Sequence, residues 1–148
     1  YMQFVLNHVL KSDFLMWAIT RVAPQLLIET ALATPISVYR TSDESERARA
    51  LSIIKTIFPV SSKLDGLRND ANIAAGLPQE ALANIHAQTL AISAEDDLYG
   101  TLAGAKYAAE HIPGARLIVY PTGGHAWLGH NNDVLVEVVA FLRTVSDS

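Results

Sequence analysis

Two short stretches in the second half of this 148-residue chain carry residue types that can work together in catalysis. Residues 91–97 read Ala-Ile-Ser-Ala-Glu-Asp-Asp, and residues 123–125 read Gly-Gly-His. Histidine has an unperturbed pKa close to neutral pH, so His125 can accept a proton and return it. A carboxylate that holds the imidazole Nδ1–H fixes its tautomer and stabilises the imidazolium, and Asp97 is placed for that task. The pattern therefore predicts two members of a hydrolytic triad.

The third member of such a triad, the nucleophile, has no counterpart in this sequence. Gly-x-Ser-x-Gly is the sharp turn from strand to helix that exposes a serine in such enzymes, and it occurs nowhere in the chain. We therefore expect the nucleophile to come from outside this chain, and the chain alone to be inert. The opening residue, Tyr1, is not methionine, which favours the same interpretation: the back half of an enzyme.

A strand, helix, strand unit has to position the acid and the histidine. The sequence predicts, in chain order, a buried strand, a helix, a second strand and a last helix, at residues 89–93, 102–112 with Thr101 as its cap, 115–120 and 131–143. Strands joined by a helical crossover lie parallel, and parallel sheets are buried on both faces. We therefore expect this unit to be the edge of a larger sheet whose other strands lie outside the chain.

The first half of the chain has the apolar spacing of helices and no strand pattern. Helices are predicted at residues 4–10, 14–22 with Ser12 or Asp13 as cap, 50–58 and 78–85. Thr41 and Glu44 have the spacing of a capping box before the third of these helices, which Pro59 should end. Residues 61–76, rich in glycine, asparagine and aspartate, predict a loop. Within it, Arg68-Asn69-Asp70 is expected to be a polar anchor between the two regions.

The second region resembles the C-terminal portion of an α/β-hydrolase over about residues 79–144. The likeness is carried by four stretches, residues 90–97, Tyr99-Gly100-Thr101, Ile112-Pro113-Gly114-Ala115 and Gly123-Gly124-His125. In that superfamily the acid follows the last strand but one, in a small-x-x-Asp turn, and the base follows the last strand. The resemblance implies Asp97 as the acid, with Ala94 at the small position, and His125 as the base.

The same resemblance implies a division of the chain into two parts. Residues 1–76 would be the helical cap inserted between the nucleophile half and the acid–histidine half, and residues 77–148 the C-terminal α/β core segment. The expected fold is therefore α/β, a helical cap followed by two parallel strands with flanking helices. The sequence departs from the family pattern at Gln88, where proline is frequent, and at Ala94, where glycine is frequent. Neither departure removes a chemical group.

The resemblance implies a hydrolase acting on a small-molecule substrate, a carboxylic ester or related acyl compound with an apolar portion. The same acid and histidine also serve carbon–carbon bond hydrolases and lactonases and, with an aspartate nucleophile, dehalogenases and epoxide hydrolases. An alternative of another class is a non-catalytic member of the fold that binds a small ligand or a partner protein. The expected partner is the N-terminal half of the same protein, or an oligomer mate that completes the sheet.

Residues beside the acid and the histidine allow further interpretations. Asp96 is the alternative acid, although a solvated or turn-capping role is expected for it. His130, with Asp133 nearby, suggests a metal, but the further ligands that zinc needs are not clustered, so we expect no metal and no cofactor. Trp127, next to the histidine, is a candidate for substrate contact. Three further aromatic side chains are expected to be core or to line an apolar pocket: Phe14, Trp17 and Phe58.

Composition limits the partners and the compartment. A formal charge of −4, with 50% hydrophobic and 18% charged residues, is ordinary for a globular chain. No cluster of lysine and arginine is present to neutralise phosphates, which argues against a nucleic-acid partner. No apolar run approaches the roughly 20 residues that a bilayer span needs. The chain has no cysteine, which excludes disulfides and indicates a reducing, cytoplasmic compartment.

Overall fold

The computed structural model describes residues 12–76 and 81–146, which form helices followed by a strand, helix, strand, helix unit. The helices are α1 Asp13–Val22, α2 Pro24–Thr30, α3 Ile36–Thr41, α4 Glu44–Thr56, α5 Leu64–Gly76, α6 Leu102–His111 and α7 Asn131–Ser146. The strands are β1 Leu90–Ala94 and β2 Arg116–Tyr120, and single 3-10 turns cover Ser61–Lys63 and Leu82–Asn84. The chain is thus a mixed helix and strand protein, as the sequence predicts.

The two strands pair in parallel, with Leu90 opposite Arg116 and Ala94 opposite Tyr120. They are joined by α6, which packs against both strands, while α7 contacts β1. Because parallel strands end at the same edge of a sheet, the segments that follow them start side by side. We call residues 95–101 the acid loop and residues 121–130 the histidine loop. The parallel pairing and all four predicted elements of this unit are confirmed, with bounds that shift by one to three residues.

The main hydrophobic core lies among the helices of residues 13–56 and extends into the histidine loop. Its buried members are Met16, Leu27, Ile28, Leu32, Ala50, Ile54, Val60 and Leu128. Leu128 belongs to the histidine loop, and only 2% of its surface is exposed. Burying a leucine side chain stabilises a fold by about 1.5–3 kcal/mol, so this contact ties the loop firmly to the helices.

The residue that caps α1 is the predicted one, whereas the residue that caps α4 is not. The Ser12 hydroxyl accepts a hydrogen bond from the Leu15 amide at 3.2 Å, as predicted. The predicted capping box is wrong, because Thr41 is the last residue of α3 and its hydroxyl donates to carbonyls of that helix. Asp43 caps α4 instead and accepts from the Glu46 amide at 2.8 Å. A carboxylate suits this position because it also interacts favourably with the positive end of the helix dipole.

The loop predicted at residues 61–76 is wrong, since these residues form a 3-10 turn and α5. Leu64 is buried at the start of α5. The Asp13 carboxylate holds the turn from the other side by accepting from the Ser61 amide at 2.9 Å. Gly66 and other weak helix formers face solvent, where each costs no more than about 1 kcal/mol. Tertiary contacts at the first turn therefore outweigh a poor helix propensity.

The predicted polar anchor, Arg68-Asn69-Asp70, lies within a helix and not in a loop, and its anchoring role stays a prediction. These residues lie in the middle of α5, with Asn69 and Asp70 exposed. Arg68 is within 3.5 Å of Asp65 one turn earlier in the same helix. This contact lies within α5, since residues three apart on a helix are neighbours.

Two of the predicted core or pocket aromatics lie at the surface of α1. Phe14 is 75% exposed and Trp17 is 50% exposed, while Met16 faces the core. Phe58 is partly buried against the core. The helix predicted at 50–58 ends at Thr56, before Pro59, as a proline requires.

The remaining helix predictions fall partly or wholly outside the described residues. The helix predicted at 4–10 lies outside them, as do residues 77–80, and residues 82–84 form only a single 3-10 turn. Within the part of the chain that the structure covers, we find no helix with the length and apolar character to span a bilayer.

Candidate functional site

Asp97 lies in the acid loop, three residues past the end of β1, and its carboxylate is nearly enclosed. Its side chain is 3% exposed. Oδ1 accepts from the Tyr99 amide at 2.9 Å, and Oδ2 accepts from the Thr101 hydroxyl at 2.5 Å. Oδ2 also lies 2.9 Å from Nδ1 of His125. These partners fix the orientation of the carboxylate.

The ionised form of Asp97 is favoured by its partners. Burial by itself would raise the pKa of this carboxyl group, because it disfavours charge. The hydrogen bonds from Thr101, from His125 and from the Tyr99 amide outweigh burial and hold the pKa of Asp97 below its ordinary value. Asp97 is therefore a carboxylate at neutral pH and acts only as an acceptor.

His125 lies in the histidine loop and meets Asp97 at the shared edge of the sheet. Because Asp97 has no proton to give, Nδ1 of His125 must be the donor in the 2.9 Å contact. Nε2 then carries the lone pair of the neutral ring, and the side chain is 49% exposed. The contact that the sequence predicts between these two side chains is present. The geometry provides a base whose tautomer is set by a buried carboxylate.

Asp96, the alternative acid, has a different set of partners. Its Oδ1 accepts from the Gly124 amide at 2.8 Å and its Oδ2 from the Gly123 amide at 3.3 Å. The imidazole of His125 hydrogen-bonds to Asp97 and not to Asp96. Asp96 thus caps the start of the histidine loop and ties it to the acid loop, which agrees with the turn-capping role expected for it.

The histidine loop passes very close to the segment between α2 and α3. Gly124 has φ of +60°, and a Cβ at this position would lie 2.5 Å from Thr34 Cα, closer than any side chain tolerates. Thr34 is fully buried. Its hydroxyl donates to the Leu32 carbonyl at 2.8 Å and accepts from the Ala126 amide at 3.4 Å. Glycine is therefore needed here both for its backbone conformation and for its lack of a side chain.

A single backbone carbonyl holds the acid loop and the histidine loop together. The carbonyl of Ala33 accepts from the Leu98 amide at 3.0 Å and from the His125 amide at 3.3 Å. Ala33 has φ of +41°, which is uncommon for a residue with a side chain. Sequence reasoning missed this contact, because nothing in the local pattern marks Ala33 as unusual.

A charged pair on α4 holds the outer side of the histidine loop. Arg49 Nη2 donates to the Ala126 carbonyl at 2.8 Å and pairs with Glu46 at 2.7 Å. Glu46 Oε2 accepts from the Gly129 amide at 3.0 Å. The hydrogen bond to Arg49, despite partial burial, lowers the pKa of Glu46. Sequence reasoning missed this pair, whose only signal is the opposite charge of residues three apart on a helix.

Tyr99 flanks the imidazole. Its ring meets that of His125 nearly edge-on, with centroids 5.0 Å apart and an interplanar angle of 78°. Its hydroxyl lies 3.2 Å from the carbonyl of Ala31, in the segment that follows α2. Burial and then the charge of Asp97 raise the pKa of this hydroxyl, so it stays a neutral donor. Tyr99 thus packs against the imidazole and connects it to the helices.

Trp127 lies two residues after the base in a left-handed turn. Its φ is +49°, and its side chain is partly buried. Its amide donates to the Gly124 carbonyl at 3.3 Å, which closes the turn. Contact with a substrate remains a prediction for this residue.

His130 packs on the sheet. Its ring stacks on Tyr120 with centroids 4.5 Å apart, and its Nδ1 lies 3.5 Å from Asp133. Among residues 12–76 and 81–146, no three side chains of the types that bind metals come close enough to share an ion.

Comparison of the chain with family models, with curated proteins and with solved structures gave no match. The geometry of the two loops therefore carries the functional argument.

Proposed function

We propose that this chain carries the acid and the base of a triad hydrolase, and that it corresponds to the cap and the last two core strands of an α/β-hydrolase fold. One observation carries the proposal. The buried carboxylate of Asp97 accepts a hydrogen bond from Nδ1 of the partly exposed His125, at the edge where two parallel strands end. This edge is where parallel sheets characteristically place ligands.

In the proposed reaction, Nε2 of His125 takes the proton of a nucleophilic hydroxyl as its oxygen attacks the carbonyl carbon of an ester. The imidazolium then gives this proton to the departing alcohol, which leaves an acyl-enzyme. A water molecule, activated by the same nitrogen, releases the acid and restores the hydroxyl. Asp97 stays ionised throughout and stabilises the imidazolium in each half of the cycle.

The nucleophile and the donors of the oxyanion hole are assigned to another polypeptide segment, either an N-terminal half or an oligomer mate. Support comes from the surface of α7, which exposes a row of apolar side chains. These are Leu135, Val136, Val139 and Leu142, each 46–67% exposed. A parallel sheet is normally covered on both faces, and a segment that adds strands to this one would bring further helices over that surface.

The first test of the proposal measures ester hydrolysis by the protein purified from its source, together with any polypeptide that accompanies it. The substrate is p-nitrophenyl butyrate, which has a short apolar acyl group. We expect His125→Ala and Asp97→Asn to lower kcat at least about 100-fold, because general base catalysis is worth that much or more. His111→Ala is the matched control, since His111 is an exposed histidine at the end of α6, and it should keep full activity.

A fluorophosphonate probe identifies the nucleophile in the same material. Labelling of a serine that requires His125 supports the acyl-transfer reaction, whereas turnover without labelling indicates a carboxylate nucleophile, as in dehalogenases and epoxide hydrolases. Hydrolysis that is unchanged in His125→Ala would disprove the proposal. Failure of both assays would favour a non-catalytic protein that binds a small ligand.

A second measurement tests the companion segment. The native material should sediment as a particle larger than the 16.1 kDa chain. A folded and monodisperse particle of that mass, with no second polypeptide, would contradict the assignment of the nucleophile to a companion.

A further inference from the structure

Two hydroxyl groups extend the Asp97–His125 pair into the protein. Thr101, at the start of α6, donates to Asp97 Oδ2, the same oxygen that accepts from His125. Behind it, Ser93 Oγ lies 3.1 Å from Thr101 Oγ1. Ser93 is in β1 and is 2% exposed. The four side chains form one continuous chain of hydrogen bonds.

The direction of each hydrogen bond in this chain follows from the number of protons. A threonine hydroxyl has one proton, and the ionised Asp97 can only accept, so Thr101 must donate to Asp97. Ser93 must then donate to Thr101, because no proton remains on the threonine for the reverse bond. Each donor polarises the next, which strengthens the bond that reaches the carboxylate.

The hydroxyl of Thr101 does not cap α6, although its position favours capping. Thr101 is the residue before the first turn of α6, where a threonine side chain normally accepts from a backbone amide of the helix. Its side chain makes no such bond, and the predicted capping by Thr101 is wrong in this respect. The hydroxyl is turned towards Asp97 instead, and the side-chain cap of α6 is given up.

Three hydrogen bonds orient the Asp97 carboxylate. Oδ1 is held by the Tyr99 amide, and Oδ2 is held by Thr101 on one side and by the imidazole on the other. If the Thr101 hydroxyl were absent, Oδ2 would be fixed only by the imidazole that it is meant to orient. The carboxylate would then be held by the protein backbone at Oδ1 alone, and Oδ2 could shift together with the ring.

We propose that Thr101 is a positioning residue for the Asp97–His125 pair and that Ser93 orients Thr101. The role in turnover rests on the proposed hydrolase function, but the role in orienting the imidazole does not. Thr101 holds Oδ2 where it accepts Nδ1–H.

The test follows the His125 ring directly by NMR of protein with ¹⁵N-labelled histidine. Thr101→Val keeps the side-chain shape and removes the hydroxyl, whereas Thr101→Ser keeps the hydroxyl. In Thr101→Val we expect the Nδ1 proton of His125 to exchange with water at least about 10-fold faster, because Oδ2 loses a charge-assisted hydrogen bond. The population of the Nδ1–H tautomer should also fall. Thr101→Ser should restore both signals.

Two further variants separate positioning from general destabilisation. Ser93→Ala should give a change of the same kind but smaller, because it leaves the Thr101 hydroxyl in place. Thr56→Val removes a hydroxyl that bonds only within α4 and should leave the ring signals unchanged. Unchanged proton exchange and tautomer in Thr101→Val would overturn the inference, as would equal changes in Thr56→Val.

The activity of the same variants distinguishes this inference from the proposed function. We expect Thr101→Val to lower kcat about 10-fold with little change in KM, since that factor corresponds to about 1.4 kcal/mol. If the ring signals move while no variant or wild-type protein turns over an ester, the hydrolase proposal fails and the positioning role stands. If His125→Ala abolishes turnover and Thr101→Val leaves kcat and the ring unchanged, the positioning inference alone fails.

Discussion

The histidine loop lies very close to Thr34, and a pair of glycine variants can test this contact. Gly124 has φ of +60° and Gly114 has φ of +75°. A Cβ at Gly124 would lie 2.5 Å from Thr34 Cα, whereas a Cβ at Gly114 would have no atom within 4 Å. Gly124→Ala and Gly114→Ala therefore introduce the same methyl group into similar backbone conformations, one crowded and one open.

The two variants share two contributions to the free energy of unfolding, and the expected difference comes from a third that only one of them has. The left-handed backbone costs an alanine about 1–2 kcal/mol at either position, and the loss of glycine freedom in the unfolded chain offsets roughly 0.4–1 kcal/mol of this in both. Only Gly124→Ala adds a steric clash, which costs about 1–3 kcal/mol when a packed interior has to shift. Gly124→Ala should therefore lower the free energy of unfolding by about 1–3 kcal/mol more than Gly114→Ala.

Equilibrium unfolding in urea measures this difference, and the Nδ1 proton of His125 reports its structural consequence. Because Thr34 Cα belongs to the backbone, the histidine loop has to move away, and the Nδ1 proton should lose protection in Gly124→Ala but keep it in Gly114→Ala. Equal loss of stability in the two variants would refute the close approach on which this reasoning depends. A destabilised Gly124→Ala with an unchanged His125 signal would show that Thr34 moves and the loop does not.

Four other changes, three at the two loops and one at the cap of α1, are each tested by urea unfolding. The pKa of Asp97 is lowered in the fold. The stabilising contribution of its carboxylate is therefore complete above the unfolded-state pKa of about 3.9 and is lost as the pH falls through the lower folded pKa. Asp97→Asn should make the decrease in the free energy of unfolding at acid pH less steep. Arg49→Ala should cost about 1.5–3 kcal/mol, because the Ala126 carbonyl loses a charged donor. Asp96→Ala should cost about 1–3 kcal/mol, because two amides of the histidine loop lose their acceptor. Ser12→Ala should cost about 0.5–2 kcal/mol through loss of the α1 cap.

The predictions for Asp97 and Arg49 each have an outcome that tells against them. An Asp97→Asn protein with the acid sensitivity of the wild type would mean that other carboxylates govern unfolding in acid. Arg49→Lys is the control for charge, since a lysine cannot reach the Glu46 carboxylate and a carbonyl with the same planar fork. Full recovery of stability in Arg49→Lys would show that the shape of the guanidinium does not matter here.

Local patterns in the sequence were sufficient to predict the strand, helix, strand, helix unit and the two loops that meet at its edge. The change from helical spacing to short apolar runs located β1 and β2, and the crossover between them required parallel pairing. Once the strands are parallel, their ends share one edge, so the residues that follow them must be neighbours. The acid loop and His125 were therefore identifiable as neighbours from the sequence, whereas the choice of Asp97 over Asp96 came from the resemblance to α/β-hydrolases.

The helical region was predicted less well, because its signals compete with one another over short distances. Threonine is a residue type that often caps helices, and Thr41 was therefore predicted as the cap. Asp43 lies closer to the start of α4, and its charge interacts with the helix dipole. The apolar residues of α1 follow helical spacing on more than one face, so the pattern did not decide that Met16 is buried and Trp17 exposed. Residues 61–76 have loop composition, yet burial of Leu64 and the contact with Asp13 make them a helix.

Only the tertiary structure decided how the site is held. The Ala33 carbonyl, the Thr34 hydroxyl and the Arg49 guanidinium reach the histidine loop from positions 77 to 92 residues away in the chain. Sequence patterns record the spacing of residues within one element, whereas these bonds depend on how separate elements pack, which no local pattern contains. The sequence by itself thus determined which side chains can do chemistry, and the packing of the helices on the histidine loop determined the geometry in which they are held.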